Sequence, residues 1–514
     1  MYDVIIIGGG ITGAGTARDC AMRGLRTLLI ERSDIATGAT GRNHGLLHSG
    51  ARYAVKDAES ASECIAENKI LRRIASHCVE DTQGLFITLP EDEEVGYGLD
   101  YQRKFIEACH KSGIDAKRLD PARARLMEPS VNPAIIGAVQ VPDGSVDPFR
   151  LCSSNVLDAR LHGADILTRT EFLDFIRDGE RVVGVKVSSA GTVQEYRSHI
   201  VVNAAGIWGA AIAARAGAVV NMYPAKGALL IFGHRVNNVV INRCRKSADG
   251  DILVPGDSVT VIGTTSTKVP FDECDDMRVT REEVELLLRE GCSLCPSLAD
   301  TRILRAYAGV RPLVASDDDP TGRSISRGIV CLDHERRDGI PGLVTITGGK
   351  LMTYRLMAQQ ATDLVCAKLG TKARCRTAVT PLPGSEKKIS RPFPLKAAAG
   401  RQGTMVRKVS EPEGGYVCEC EQVTAAEIRY AVDELGVRTL EDLRRRTRVG
   451  MGTCQGSFCI EKAAAALADA LGDPSMAGEL SHDYLRERWK GMMPVGWGDT
   501  LREMEYMQRK FNEI

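Results

Sequence analysis

Four of the sixteen cysteines in this 514-residue chain are spaced as ligands. Cys418 and Cys420 form a Cys-x-Cys pair, and after 33 intervening residues Cys454 and Cys459 form a Cys-x4-Cys pair. Four thiolates hold either a [2Fe-2S] cluster or a tetrahedral zinc ion, and the spacing matches neither the plant-type nor the bacterial ferredoxin run. Arg444, Arg445, Arg446 and Arg448 precede the second pair, where their charge either offsets a negative cluster or docks a partner. With Glu441 and Asp442 alongside, the run is not a nucleic-acid patch. Cys292-x2-Cys295 has no second pair nearby and reads as structural, and the remaining ten thiols read as small buried hydrophobes.

At the other end of the chain the chemistry is that of a nucleotide. Gly8-Gly9-Gly10-Ile11-Thr12-Gly13 is G-x-G-x-x-G between a strand at 3–7 and a helix at 14–23. A second strand, 26–30, leads to Glu31, 21 residues after Gly10. Gly8, Gly10 and Gly13 permit a tight turn and let the backbone approach a pyrophosphate at the helix N-terminus; Glu31 accepts hydrogen bonds from ribose hydroxyls. No second such loop occurs, so one dinucleotide is expected. The small, polar run ATGATGRNHG at 36–45 favours FAD over NAD modestly, because it is long enough to follow the nucleotide past the ribose. Ala205 and Gly206 close a strand in a turn under the adenine side. Gly348, Gly349 and Lys350 end a strand and open a helix whose N-terminus suits the negative charge of a reduced flavin.

These groups need a scaffold. Residues 3–30 make a βαβ unit, 56–82 and 101–112 read as helices, and 84–89 as a strand. Residues 226–232, 251–253 and 259–263 read as antiparallel strands joined by short polar turns. A strand at 343–346 then precedes a helix over 351–369. The apolar stretch 200–220 is broken by Asn203 and Arg215 and reads as a buried strand turning into a helix, not a membrane span. The length allows about three domains. The 67 basic and 67 acidic residues balance, so no global field favours nucleic acid or an anionic membrane. Residues 1–7 lack the features of a signal peptide, and scattered cysteines suit a reducing compartment.

Three ordered stretches resemble the family of FAD-dependent glycerol-3-phosphate dehydrogenases: ATGATGRNHGLLHSGARY at 36–53, AGVRPL at 308–313 and GGKLMTYR at 348–355. The four-cysteine spacing resembles the bacterioferritin-associated ferredoxin-like domain, which makes the whole chain similar to the anaerobic, three-subunit branch. The implied fold is α/β: a Rossmann-like FAD-binding domain with an inserted antiparallel-sheet substrate domain, plus a small C-terminal four-cysteine module. The FAD-binding parts are expected at 1–80, 145–215 and 325–375, and the substrate-domain parts at 81–144 and 216–324. A Pro-containing linker at 376–412, the cluster module at 413–465 and a tail at 466–514 follow; Trp489 and Trp497 lie in the tail and either anchor it to the core or form part of a subunit interface.

The resemblance implies FAD and a [2Fe-2S] cluster as cofactors. Gly8, Gly10, Gly13, Glu31, Thr40, Arg42, Asn43, His44, Ala205, Gly206, Gly348, Gly349 and Thr353 are the expected FAD contacts, and Cys418, Cys420, Cys454 and Cys459 the cluster ligands. The implied reaction takes a hydride from the carbinol carbon of sn-glycerol 3-phosphate while the hydroxyl loses a proton, giving dihydroxyacetone phosphate. Arg52 and Arg311 are then phosphate anchors and Lys350 lies near the reacting end. His48 is the candidate proton acceptor. Implied partners are an iron–sulfur membrane anchor that leads to a quinone, and a second, flavin-associated subunit. This chain, with no membrane segment of its own, is expected to be peripheral at the cytoplasmic face of the inner membrane. The aerobic enzymes end in a different helical domain, so their membrane binding is not carried over. Two alternatives stand beside this: a related dehydrogenase of another 2-hydroxy acid or an amino acid, and a redox-sensing electron-transfer protein.

Overall fold

The computed structural model describes residues 1–314, 328–385 and 415–511. The expected linker lies outside the described residues from 386 to its end, and so does the expected boundary at 324. The linker's first residues, by contrast, are packed: Leu382 is fully buried and its N–H donates to the Ile74 carbonyl at 2.8 Å.

Strand β1 (Tyr2–Ile7) runs parallel to β2 (Thr27–Ile30) on one side and to the second half of a long strand, Thr192–Asn203, on the other. Asp165–Leu167 extends the parallel sheet beyond β2, and Leu343–Gly348 extends it beyond Asn203. Val4, Ile5 and Ile6 are all fully buried, which is why β1 is a continuous apolar run rather than an alternating one. Helix α1 (Ile11–Met22) packs on this sheet through small residues. A Cβ at Gly15 would stand 2.8 Å from the Tyr354 ring, so the small side chains set how closely the helices approach. Strand order reverses at β1, and in such sheets the crevice at the C-terminal strand ends takes the ligand.

The second sheet has nine strands drawn from 84–141 and 222–314. It is not wholly antiparallel as expected: Val240–Arg243 lies parallel to Gly84–Thr88, where the two separate stretches of chain meet. Met222–Phe232 is buried at all eleven positions and pairs along its length with Ile303–Val314. That register sets Arg311 opposite Ala225. The helix expected over 56–82 ends at Ile74; Val79–Glu80 instead adds an edge to Gly144–Val146.

The C-terminal module holds a two-stranded ribbon and the helices Ala425–Leu435, Leu440–Thr447 and Ile460–Leu471. Thr424 with Glu427, and Thr439 with Asp442, close capping boxes on the first two helices. The tail is not a separate appendage. Its helices Ala477–Met492 and Gly498–Phe511 place Leu480, Tyr484, Met492 and Met504 in one core with Ala463 and Leu467. Trp489 packs at that core's edge, whereas Trp497 lies under the Arg281 guanidinium, 5.7 Å from its ring centroid.

The arginine run docks the module on its own chain. Arg445 and Arg446 pair with Asp34 at 2.9 and 2.5 Å. Arg448 reaches Glu421, Asp147 and Asp257 at 2.9, 3.2 and 3.1 Å. Among the described residues no helix is long and apolar enough to cross a membrane.

Candidate active site and four-thiol centre

The turn after β1 shows why each glycine is there. Gly8 has φ +112, and a Cβ on it would lie 2.7 Å from the Ala204 carbonyl oxygen. A Cβ on Gly13 would lie 1.9 Å from the Gly8 oxygen, so helix and turn meet only if that side chain is absent. Gly10 differs: a Cβ there meets only Thr40 Oγ1, at 3.3 Å, and the residue faces a cavity. Protein packing presses on position 10 less than on Gly8 or Gly13, whereas close approach of a pyrophosphate demands glycine there. Glu31 Oε2 accepts from the Gly9 N–H at 2.7 Å and Oε1 from Ser33 N–H at 2.8 Å. Burial raises the Glu31 carboxyl above its ordinary range against those two bonds. Thr40 Oγ1 accepts from Ile11 N–H at 3.0 Å, serving a helix N-terminus that has no cap of its own.

One cavity of about 450 Å³ runs from the ends of β1 and β2 to the second sheet. It is lined by Gly8, Gly10, Glu31, Thr40, Arg42, Asn43, His44, His48, Arg52, Ala205, Gly206, Arg311, Gly348, Gly349 and Lys350. Gly13 and Thr353 are not in the lining; Gly13 serves packing, and Thr353 Oγ1 accepts from Lys350 N–H at 2.9 Å to start the following helix. Asn43 and His44 shape their own loop: Asn43 Nδ2 donates to the Thr40 carbonyl at 2.6 Å, and His44 Nδ1 accepts from Leu46 N–H at 3.2 Å. Gly348 and Gly349 carry φ +75 and +65, a left-handed pair that turns the backbone into the cavity.

At the second-sheet end the cations divide. Arg52 donates to Asp251 Oδ2 at 2.7 Å, and Asp251 is held in turn by Arg245 and the Ala248 N–H. Among the described residues the buried Arg52 Nη1 has no hydrogen-bond partner. Arg311 directs its donors to Thr264 Oγ1, the Thr265 carbonyl at 2.9 Å and Ser266 Oγ at 3.3 Å. It therefore ties the 264–266 turn to the sheet as well as facing the cavity. His48 is 7% exposed and its ring centroid lies 5.5 Å from that of Tyr53, and Lys350 Nζ lies 4.8 Å from the same Tyr53 ring. Sequence reading gave no role to Tyr53, nor to Trp208, which lines the nucleotide end under Arg32 at 4.5 Å.

The four expected thiols converge in a ring. Cys418 Sγ contacts Cys420 Sγ at 3.7 Å and also Cys459; Cys454 contacts Cys420 and Cys459. The backbone N–H groups of Gly450 and Glu421 point at Cys418, and those of Gly456 and Phe458 at Cys454. Hydrogen bonds from the neighbouring thiols, then these N–H groups, draw Cys418 and Cys454 far below the ordinary thiol range. The same sharing pushes Cys420 and Cys459 up. Among the described residues no three or more ligand-type side chains are arranged to hold a single metal ion. The fit to a sulfur-ligated cluster rests on the donor set, four thiols and four N–H groups around negative charge.

Comparison with known proteins agrees with both ends of the chain. A family model described as FAD dependent oxidoreductase matches residues 3–355, and one described as BFD-like [2Fe-2S] binding domain matches 416–469. An anaerobic glycerol-3-phosphate dehydrogenase subunit of Escherichia coli (strain K12) is 59% identical, over 98% of this chain and 95% of that protein. The Haemophilus influenzae protein of the same name is 58% identical, over 98% and 91%. The crystal structure of Bacillus halodurans glycerol-3-phosphate dehydrogenase with FAD superposes with a TM-score of 0.71 at 23% identity, covering 96% of this chain and 95% of that one. Glycine oxidase from Geobacillus kaustophilus shares the fold at a TM-score of 0.59 and 22% identity, covering 74% and 98%. Fold alone therefore leaves the substrate open.

Proposed function

Because this chain belongs to the FAD dependent oxidoreductase family, we propose that it is the dehydrogenase subunit that oxidises sn-glycerol 3-phosphate to dihydroxyacetone phosphate and passes the electrons to a [2Fe-2S] cluster. One observation carries this reading: Arg52, Arg311, Lys350 and His48 open on the same cavity as the dinucleotide turn. FAD, held along Gly8, Gly10, Glu31 and the 348–349 turn, supplies the two-electron acceptor.

The chain's own residues do the rest. Arg52, fixed by Asp251, presents Nη1 to a phosphate oxygen, and Arg311 adds positive charge from the adjoining turn. His48 takes the hydroxyl proton as the carbinol carbon is oxidised. Tyr53 packs between His48 and Lys350 and keeps both at the reacting end. In this reading Arg52 and Arg311 hold the substrate at the second-sheet end of the cavity, and Glu31 holds the ribose at the other. The similar proteins are each named as one subunit of an enzyme, which implies companions. These are inferred to be a membrane anchor that delivers electrons to quinone and a flavin-associated protein.

An anaerobic substrate screen that follows loss of flavin colour tests the reading. Glycerol 3-phosphate should bleach the flavin, while lactate, glycine and proline should not. Bleaching by a carboxylate substrate and none by glycerol 3-phosphate would place the enzyme with the amino-acid or hydroxy-acid dehydrogenases.

A further inference from the structure

Two tail side chains grip the loop that carries Cys454. Arg488, 3% exposed, donates through Nη1 to the carbonyl of Gln455, and to that of Cys454 at 3.2 Å. Tyr484, 4% exposed, donates its hydroxyl to the Gln455 carbonyl at 3.3 Å and to the Gly450 carbonyl at 3.1 Å. The Gln455 carbonyl belongs to the peptide whose N–H, that of Gly456, points at Cys454 Sγ. A peptide that accepts at oxygen is polarised, and its N–H becomes the stronger donor. Glu503 holds Arg488 Nη2 at 2.6 Å and fixes the guanidinium plane against the loop.

We propose that Arg488 and Tyr484 are positioning residues that act through the Gln455–Gly456 peptide to strengthen its hydrogen bond to Cys454 and so raise the reduction potential of the cluster. N–H donors to ligand sulfur stabilise the more negative, reduced state of an iron–sulfur centre, and hydrogen bonding to the sulfurs is one of the levers that set its potential. The tail lies beyond residues 416–469, the extent of the cluster domain itself. This gives it a role: it closes over the cluster loop and makes the centre a better acceptor for electrons from the flavin domain. Arg488 Nη1 also reaches Ser457 Oγ in this loop at 3.4 Å, and among the described residues neither side chain bonds a thiol, so the proposed effect on the sulfur passes through the loop and not through direct ligation.

The inference rests on the reading that the four thiols hold a [2Fe-2S] cluster, which iron and acid-labile sulfide in the wild-type full chain test separately. Zinc in their place would sink that reading and this inference with it. Given the cluster, Arg488→Met, Arg488→Lys and Tyr484→Phe are compared by spectroelectrochemical titration and by electron paramagnetic resonance of the reduced centre. In Arg488→Met the ratio of reduced to oxidised cluster at a fixed ambient potential should fall roughly tenfold, about 59 mV for a one-electron couple. Arg488→Lys should recover most of it. Tyr484→Phe removes no charge, so a smaller fall there marks the route through the peptide. Flavin bleaching by substrate should be unchanged in all three. An unchanged potential in an Arg488→Met protein that keeps its iron overturns the proposal. If that variant loses iron, the same potential in Tyr484→Phe as in wild type overturns it.

Discussion

Arg446 and Asp34 meet at 2.5 Å across the joint between the four-thiol module and the dinucleotide domain, and their side chains are only 3% and 2% exposed. Asp34 follows β2 by a few residues, so the pair joins the cluster module to the edge of the nucleotide site. Burial alone would raise the Asp34 carboxyl; Arg446 and Arg445 outweigh it and hold the carboxyl below its ordinary range. Removing one partner of a buried pair leaves an uncompensated charge, at about 3–5 kcal/mol.

Asp34→Asn should therefore loosen the module from the flavin domain while each part stays folded. Calorimetry should split one unfolding transition into two, and the cluster should be reduced more slowly by substrate. A single transition at the wild-type temperature would show that the joint does not depend on this pair.

Gly10→Val should abolish flavin retention without unfolding the chain. Among the described residues a Cβ at this position meets Thr40 Oγ1 alone, at 3.3 Å, so a shift of that hydroxyl by a few tenths of an ångström makes room for it, whereas a pyrophosphate against the turn is displaced. Purified Gly10→Val protein with stoichiometric flavin would move the cofactor away from this turn.

Arg52→Ala and Arg311→Ala should both weaken substrate binding. Arg52→Ala should raise KM for glycerol 3-phosphate roughly ten- to a hundredfold, the worth of a charge-assisted bond of about 1.5–3 kcal/mol, and should lower Tm, because the buried Asp251 loses one of its two arginine partners. Arg311→Ala should lower both substrate affinity and Tm, because the 264–266 turn loses its tie. Equal and unaltered kinetics in both variants would remove the pair from the phosphate site.

His77 sets a pH dependence of stability. It is 2% exposed, and burial, then the Arg150 charge, pull its pKa down to about 3 from an ordinary 6.5. The unfolded chain binds the proton first, so this contribution is complete above about pH 6.5 and is lost as pH falls toward 3. The slope reaches at most about 1.4 kcal/mol per pH unit. Denaturant unfolding of His77→Gln across pH 7 to 5 should show a flatter dependence than wild type. Parallel curves would exclude His77 as the titrating group.

The turn at 8–13 was legible in sequence because its demands are local: a strand, a steric limit and a helix within a dozen residues. Arg311 was legible as a cavity residue but not as a tie, since its partners Thr264 and Ala225 lie 47 and 86 positions away. The arginine run reads in sequence as facing a cluster or a partner, because Asp34, 411 positions from Arg445, cannot be matched to it by spacing. The parallel pair in the second sheet and the shared core of module and tail were hidden for the same reason. Tyr53 and Trp208 carried a usable signal, the one ending a family motif and the other next to the Gly206 turn, but an aromatic ring is ambiguous until its neighbours are known.

In the proposed function, electrons from glycerol 3-phosphate leave the flavin domain through the four-thiol centre. The direct measurement is one anaerobic addition of substrate to the full chain, with flavin colour and the reduced-cluster resonance read together. Wild type should lose flavin colour and gain the cluster signal; the double variant Cys454→Ser, Cys459→Ser should lose flavin colour alone. A wild-type cluster that contains iron and stays oxidised while the flavin is bleached would show that electrons leave the flavin by another route.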